Sequence, residues 1–269
     1  MMKKILFTII LALSLKADVN QAIYNMIDSE DYNTHLNLIN HIFKDQSNFY
    51  KDGNIDYIKI SEELDKNGLL KLNYNEIKDI EVTFTFSSSP KKSFKNITDI
   101  LKAIGNQHFI TKNQATNGEQ LFWSIKLKTA AAINPLRLSL ELQNANCRVL
   151  KIRREAEDKW SYFIDSSNST LYKVEDLVNN SSLSLRKPTK PYMIELSNSE
   201  ILSIETRSGT IWHPNVVFYD DELNILRVFE KEKRYSNLRL NVPSEARFVK
   251  IDDFYALTNI RNGLNITKE

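Results

Sequence analysis

Apolar and polar residues alternate most cleanly in the middle of the chain. Ile80, Val82, Phe84 and Phe86 are separated by Glu81, Thr83 and Thr85, so one set of side chains lines a buried face of a strand and the other an open face. After Pro90 the period lengthens. Phe94, Ile97, Ile100, Leu101 and Ile104 fall on one stripe of a helix that stops at Gly105. A short strand at 108–111 and a polar turn containing Asn117-Gly118 lead to a second alternation. There Leu121, Trp123, Ile125 and Leu127 interleave with Phe122, Ser124, Lys126 and Lys128. Leu136, Leu138, Leu140 and Leu142 alternate as well. Asn134-Pro135 supplies an N-cap and a first-turn proline, and with the leucine-rich composition this favours a helix. Two more strands follow, at 147–153 and at Trp160, Tyr162 and Ile164. The order strand, helix, strand, strand, helix, strand predicts a ferredoxin-like βαββαβ domain over 76–165 with one extra strand. Its helices cover one face, and Thr83, Thr85, Ser124 and Lys126 occupy the other.

On either side the pattern changes. Residues 18–75 read as a helical N-terminal region. Val19, Ile23, Met26 and Ile27 form one stripe behind an Asp18-x-x-Gln21 start that resembles a capping box. Tyr32, Leu36, Ile39 and Phe43 form a second stripe in a helix from about Glu30. Tyr57, Ile60 and Leu64 form a third, stopped by Gly68. Residues 166–190 shift to Ser, Asn and Lys and read as a linker. From 191 to 269 short apolar runs recur between polar turns, which predicts a β-sandwich of jelly-roll type. The fold class is therefore α+β.

Composition adds a compartment. Residues 1–17 run from a basic start, Lys3-Lys4, through an apolar stretch from Ile5 to Leu13, to Ala17. That is the order of a cleavable secretory signal peptide, and the apolar part is too short to span a bilayer. The expected protein is periplasmic, with no membrane span after the leader is removed. Loss of Lys3, Lys4 and Lys16 turns the formal charge of +2 into about −1. Such a balance gives no field to attract nucleic acid or an anionic membrane. Cys147 is the single cysteine, so no internal disulfide forms, and a lone thiol in an oxidising compartment is expected to be buried and inert. The six glycines are too scattered for a phosphate-cradling loop.

Candidate chemistry is sparse. His35 and His41 would point roughly 120° apart on one helix, and His108 and His213 fall in different regions, so the four histidines do not suggest a metal site. Asp220, Asp221 and Glu222, with Asp252 and Asp253, are the dense carboxylate groups. On loops they suit turns and water, could hold Ca²⁺, or could serve as acid and base on a glycan. Trp212, His213, Tyr219 and Tyr235 offer an aromatic face for a sugar or peptide, with core packing as the competing role of Trp212. An RNA-recognition reading fails on the open sheet face, where Phe122 is the only ring counted.

The runs Ile39-Asn40-His41-Ile42-Phe43-Lys44-Asp45, Phe49-Tyr50-Lys51-Asp52-Gly53 and Asn67-Gly68-Leu69-Leu70 resemble a family of uncharacterised bacterial periplasmic proteins. Phe122-Trp123-Ser124-Ile125 and Asn146-Cys147-Arg148-Val149 fit the same likeness, which covers most of 36–165. The resemblance implies a location and no activity. The C-terminal pattern is similar to sugar-binding jelly-roll modules. The expectation is thus a non-catalytic binding or scaffolding protein with an envelope protein or cell-wall polymer as partner and no resident cofactor. The alternatives are a cell-wall glycan or peptide hydrolase using the loop carboxylates, or a calcium-dependent carbohydrate-binding protein.

Overall fold

The computed structural model describes residues 18–196 and 200–269, so the leader expected at 1–17 lies outside the described residues. It is a mixed α+β structure, mostly strands in several sheets with few helices.

The first element is α1 (Val19–Tyr24), capped by Asp18, whose carboxylate accepts the Asn20 N–H at 3.0 Å. Gln21 does not return the favour; its amide donates to Asn25, so the capping box is half realised. The helix expected from Glu30 is divided at His35 into α2 (Ser29–Thr34) and α3 (Leu36–Ile42). A hairpin the periodicity did not predict follows, β1 (Tyr50–Lys51) with β2 (Asn54–Ile55). Its two turn residues, Asp52 and Gly53, have φ of 51° and 76°. Asp-Gly favours this two-residue turn because both positions need a left-handed backbone. Then α4 (Tyr57–Lys66) starts on Asp56, which accepts from Ile58 and Lys59 N–H. Val19, Ile23, Met26, Ile39, Ile60 and Leu64 are fully buried in the same apolar cluster as the middle sheet. The helical region therefore owes its order to that sheet, since short helices are marginal alone.

The middle region contains β3 (Asn73–Phe86), α5 (Pro90–Ala103), β4 (Ile110–Asn117), β5 (Gln120–Ala131), α6 (Pro135–Gln143), β6 (Arg148–Ala156) and β7 (Lys159–Asp165). Asn134 caps α6 by accepting from Arg137 N–H at 3.1 Å. Leu138 and Leu142, one turn apart, are buried, while Leu140 is exposed. Across the sheet Phe84 pairs with Trp123 on one side and Tyr162 on the other, all inward, and Thr83 pairs with Ser124 on the open face.

The strand order is β4-β5-β3-β7-β6. A ferredoxin-like sheet would set the strand after the second helix, β6, directly beside β3. Here β7 stands there, parallel to β3, and β6 is displaced to the edge. The side chains explain the exchange. Trp160, Tyr162 and Ile164 of β7 are buried and its outward Ser161 is small, so it tolerates a central position. Lys151, Arg153, Arg154 and Glu155 of β6 suit an edge, where charge discourages pairing with another chain.

Residues 166–190, expected as a linker, carry β8 (Glu175–Asp176) and β9 (Ser182–Leu185). The remaining strands are β10 (Tyr192–Glu195), β11 (Ile201–Thr206), β12 (Pro214–Tyr219), β13 (Ile225–Glu230), β14 (Asn237–Asn241), β15 (Phe248–Asp253) and β16 (Leu264–Lys268). They form a five-stranded sheet, β13-β12-β15-β10-β8, and a four-stranded sheet, β14-β11-β16-β9. Ile194, Phe218 and Ile251 of the first sheet and Leu202, Ile204 and Ile266 of the second share one fully buried cluster. Burying a side chain of this size contributes about 1.5–3 kcal/mol before cavity and entropy terms.

The middle and C-terminal regions touch through polar side chains where the loop after β12 docks on the start of α5. Lys92 Nζ lies 3.0 Å from Asp221 and 3.7 Å from Glu222, and Ser89 donates to Glu222 at 3.2 Å. Acidic groups at a helix N-terminus also face the positive end of its dipole. Beside them Lys190 reaches Asp99 of α5 at 2.8 Å. Burial pushes the Asp99 carboxyl up, but Lys190 and Lys95 together hold it below its ordinary value.

Candidate functional site

A cavity of about 370 Å³ opens between the β1–β2 hairpin with the start of α4 and the end of α6 with the start of β6. Lys51, Asp52 and Ile55 line it from the hairpin. Ser139, Gln143, Asn146, Cys147 and Arg148 line it from the other wall, and Asp165 and Ser167 close one side. Asn146 adopts a φ of 52°, which turns the chain from α6 into β6, and Cys147 N–H donates back to Leu142 at 2.9 Å.

The chemistry of this cleft is quiet. Cys147 is buried, and its Sγ faces the Ala145 carbonyl at 3.5 Å. Burial, helped by the negative charge of Asp165 and opposed by Lys92, pushes the thiol up to about 12. At neutral pH it is a protonated thiol, and the thiolate is the reactive form. Asp165 accepts from Ser167 Oγ at 2.7 Å, from Ser87 Oγ at 3.2 Å and from Arg148 at 3.4 Å. The Ser167 hydroxyl is the main reason that its carboxyl sits below the ordinary range, against the effect of burial. Ser139 Oγ is buried on this wall with no hydrogen-bond partner among the described residues.

The residues picked out by sequence lie elsewhere. Trp212 is fully buried in the C-terminal cluster, and its Nε1 donates to the Asp252 carbonyl at 2.9 Å, so its ring belongs to the core. Its backbone pairs with Tyr235, whose ring packs edge-on against Phe229. His213 Nδ1 is 3.2 Å from Asp253, and its ring meets Tyr255 edge-on at 4.8 Å. Tyr219 is at the far end of β12, beside Lys95, Asp99 and Leu223. The four rings thus do not form one face. Phe254 and Tyr255, which follow the Asp252-Asp253 pair directly, are exposed, and the Tyr255 ring is the one that meets His213.

The carboxylates are also divided. Pro214 pairs with Asp253 and Tyr219 with Phe248, so Asp252 and Asp253 lie at one end of the β12–β15 ladder and Asp220 and Asp221 at the other. Asp220 closes its own turn by accepting from Asn224 N–H and side-chain amide at 2.7 and 2.8 Å. Asp221 pairs with Lys92. Asp252 accepts from the Asp253 N–H. Asp253, 4% exposed, accepts from the N–H groups of His213, Tyr255 and Ala256 and from the Asn259 amide, all within 3.0 Å. Burial raises its carboxyl, but these donors outweigh burial and hold it below the ordinary value. Among the described residues, no three His, Cys, Asp or Glu side chains converge as a metal site would require.

The hairpin wall of the cleft was illegible to periodicity, although Asp52-Gly53 is a strong turn signal. The opposite wall is assembled from residues that carry no motif between them. No protein-family model, curated protein or solved structure matches this chain. Among the described residues, no helix is long and apolar enough to cross a membrane.

Proposed function

We propose that this chain is a non-catalytic binding or scaffolding protein of the periplasm, whose partner is an envelope protein or the cell-wall polymer. The observation that carries the reading is the state of the cleft at Cys147. Its walls offer Lys51, Arg148, Asn146 and Gln143 to a ligand, while its one thiol is held protonated and Asp165 is already engaged. Such a site recognises by hydrogen bonds and charge and lacks an activated nucleophile. The unsatisfied Ser139 hydroxyl adds a buried group that a ligand could pair. The leader-like order of 1–17 supports export, and the near-neutral mature charge speaks against nucleic acid. In this reading 76–165 is a variant of the ferredoxin-like arrangement and 191–269 a jelly-roll-like sandwich.

Crosslinking of the full chain in intact cells, followed by mass spectrometry and N-terminal sequencing, tests it. The expected native protein begins at Asp18 and crosslinks to envelope proteins or cell-wall fragments, less so when it carries R148A. A protein that retains Met1 and crosslinks only to cytoplasmic proteins overturns the reading.

A further inference from the structure

A second cleft, about 650 Å³ and sharing no lining residue with the cleft at Cys147, lies at one end of the four-stranded sheet. Its walls hold Arg186, Lys187, Arg207 and Arg261, with Thr206, Ser208, Asn262 and Asn265 between them and no carboxylate. None of the four cations makes an ion pair among the described residues. Elsewhere the chain pairs its charges freely, as at Lys92, Lys190 and Arg247. A chain of near-balanced charge has therefore left four cations together and unneutralised.

The backbone explains how they meet. Leu185 pairs with Leu264, and Leu264 with Thr206, so β9, β16 and β11 end side by side. The residues just beyond those ends are the cations. Lys187 N–H donates to the Arg261 carbonyl and Arg207 N–H to the Gly263 carbonyl, at 3.2 and 3.3 Å. The approach is so close that a Cβ on Gly263 would lie 1.9 Å from the Leu185 carbonyl oxygen. The Arg207 guanidinium is fixed in advance by Asn265 Oδ1 at 3.1 Å and by the Ser184 hydroxyl. The other three are exposed and can close over a ligand.

The geometry points to a binding site for a multiply charged phosphate group. Arginine forks match phosphate oxygens two at a time, and one preordered guanidinium lowers the ordering cost. Several cations in one cleft also reinforce one another's field. The site is independent of the Cys147 cleft, so either can fail alone.

Titration of the full chain with tripolyphosphate tests the site, read by calorimetry at low and high salt. Saturable binding that weakens with salt is expected, as is a loss of about tenfold or more in the R186Q/R261Q variant. K233Q/R234Q, on an exposed turn elsewhere, should bind as the parent does. Sedimentation with phosphatidylcholine vesicles, with and without phosphatidic acid, whose phosphomonoester can carry two charges, separates the sources of phosphate. Capture only by the anionic vesicles, lost in R186Q/R261Q, supports the site and assigns a lipid headgroup. Tripolyphosphate binding without vesicle capture supports it and assigns a soluble phosphate. Equal affinity of the parent and R186Q/R261Q, or no binding to either probe, overturns it.

Discussion

Lys92 of α5 and Asp221 of the β12–β13 loop form an unequal pair: the lysine side chain is 7% exposed and the aspartate 67%. The ammonium has given up most of its water, and the carboxylate has kept its own. Removing the carboxylates should therefore cost more than removing the lysine, because a buried charge left alone is the expensive outcome. We expect D221N/E222Q to lower stability by about 1–2 kcal/mol, reduced from a fully buried pair by solvent at the acidic side. K92M should be near neutral. Urea unfolding midpoints decide the matter; a K92M loss larger than that of D221N/E222Q refutes the asymmetry.

Asp253 gathers four N–H donors around one buried carboxylate. Its folded value is held below the unfolded one, so its contribution is complete above the unfolded carboxylate range and disappears as pH falls through the folded value. In D253N an amide NH₂ must face at least one of those donors. That substitution should cost about 1.5–3 kcal/mol near neutral pH, and the gap to the parent should narrow in acid. Thermal unfolding across pH measures both; a gap independent of pH counts against a charge-based role.

Cys147 should ignore thiol reagents in the folded protein. With the thiol pushed to about 12 by burial, an aromatic disulfide reagent at mildly alkaline pH should label it only as fast as the chain opens, and at once in denaturant. Rapid labelling of the native chain would contradict the buried, protonated thiol.

Gly263 should tolerate no side chain. Its φ is 100° and the Leu185 carbonyl occupies the space a Cβ would need. G263A should destabilise by about 2–4 kcal/mol and weaken tripolyphosphate binding, because the strand ends that carry Arg186 and Arg261 would be forced apart. Parent-like stability in G263A would show that the strand ends can move.

Legibility in the sequence follows the range of the interaction. Asn134-Pro135 names a helix start within two residues, and it outweighs a leucine alternation that also fits a strand. The inward sets of β3 and β5 are read from their own period. Which strand stands beside β3 depends on β6 and β7 competing for one place, and no local pattern announces the winner. Trp212 shows the same limit at the level of a site: an aromatic beside a histidine resembles a recognition pair until its surroundings prove to be core. Both clefts draw on segments far apart in the chain, and neither leaves a spacing to find.

The parallel seating of β7 against β3 also has a consequence in time. The central strand, complete by Phe86, cannot gain its second neighbour until residues 159–164 have been made. Contacts of such long range are slow to form because loop closure precedes any gain. During synthesis β3 is left with an unsatisfied edge while some seventy intervening residues emerge, and that interval is when the nascent chain is most open to mispairing or to a chaperone.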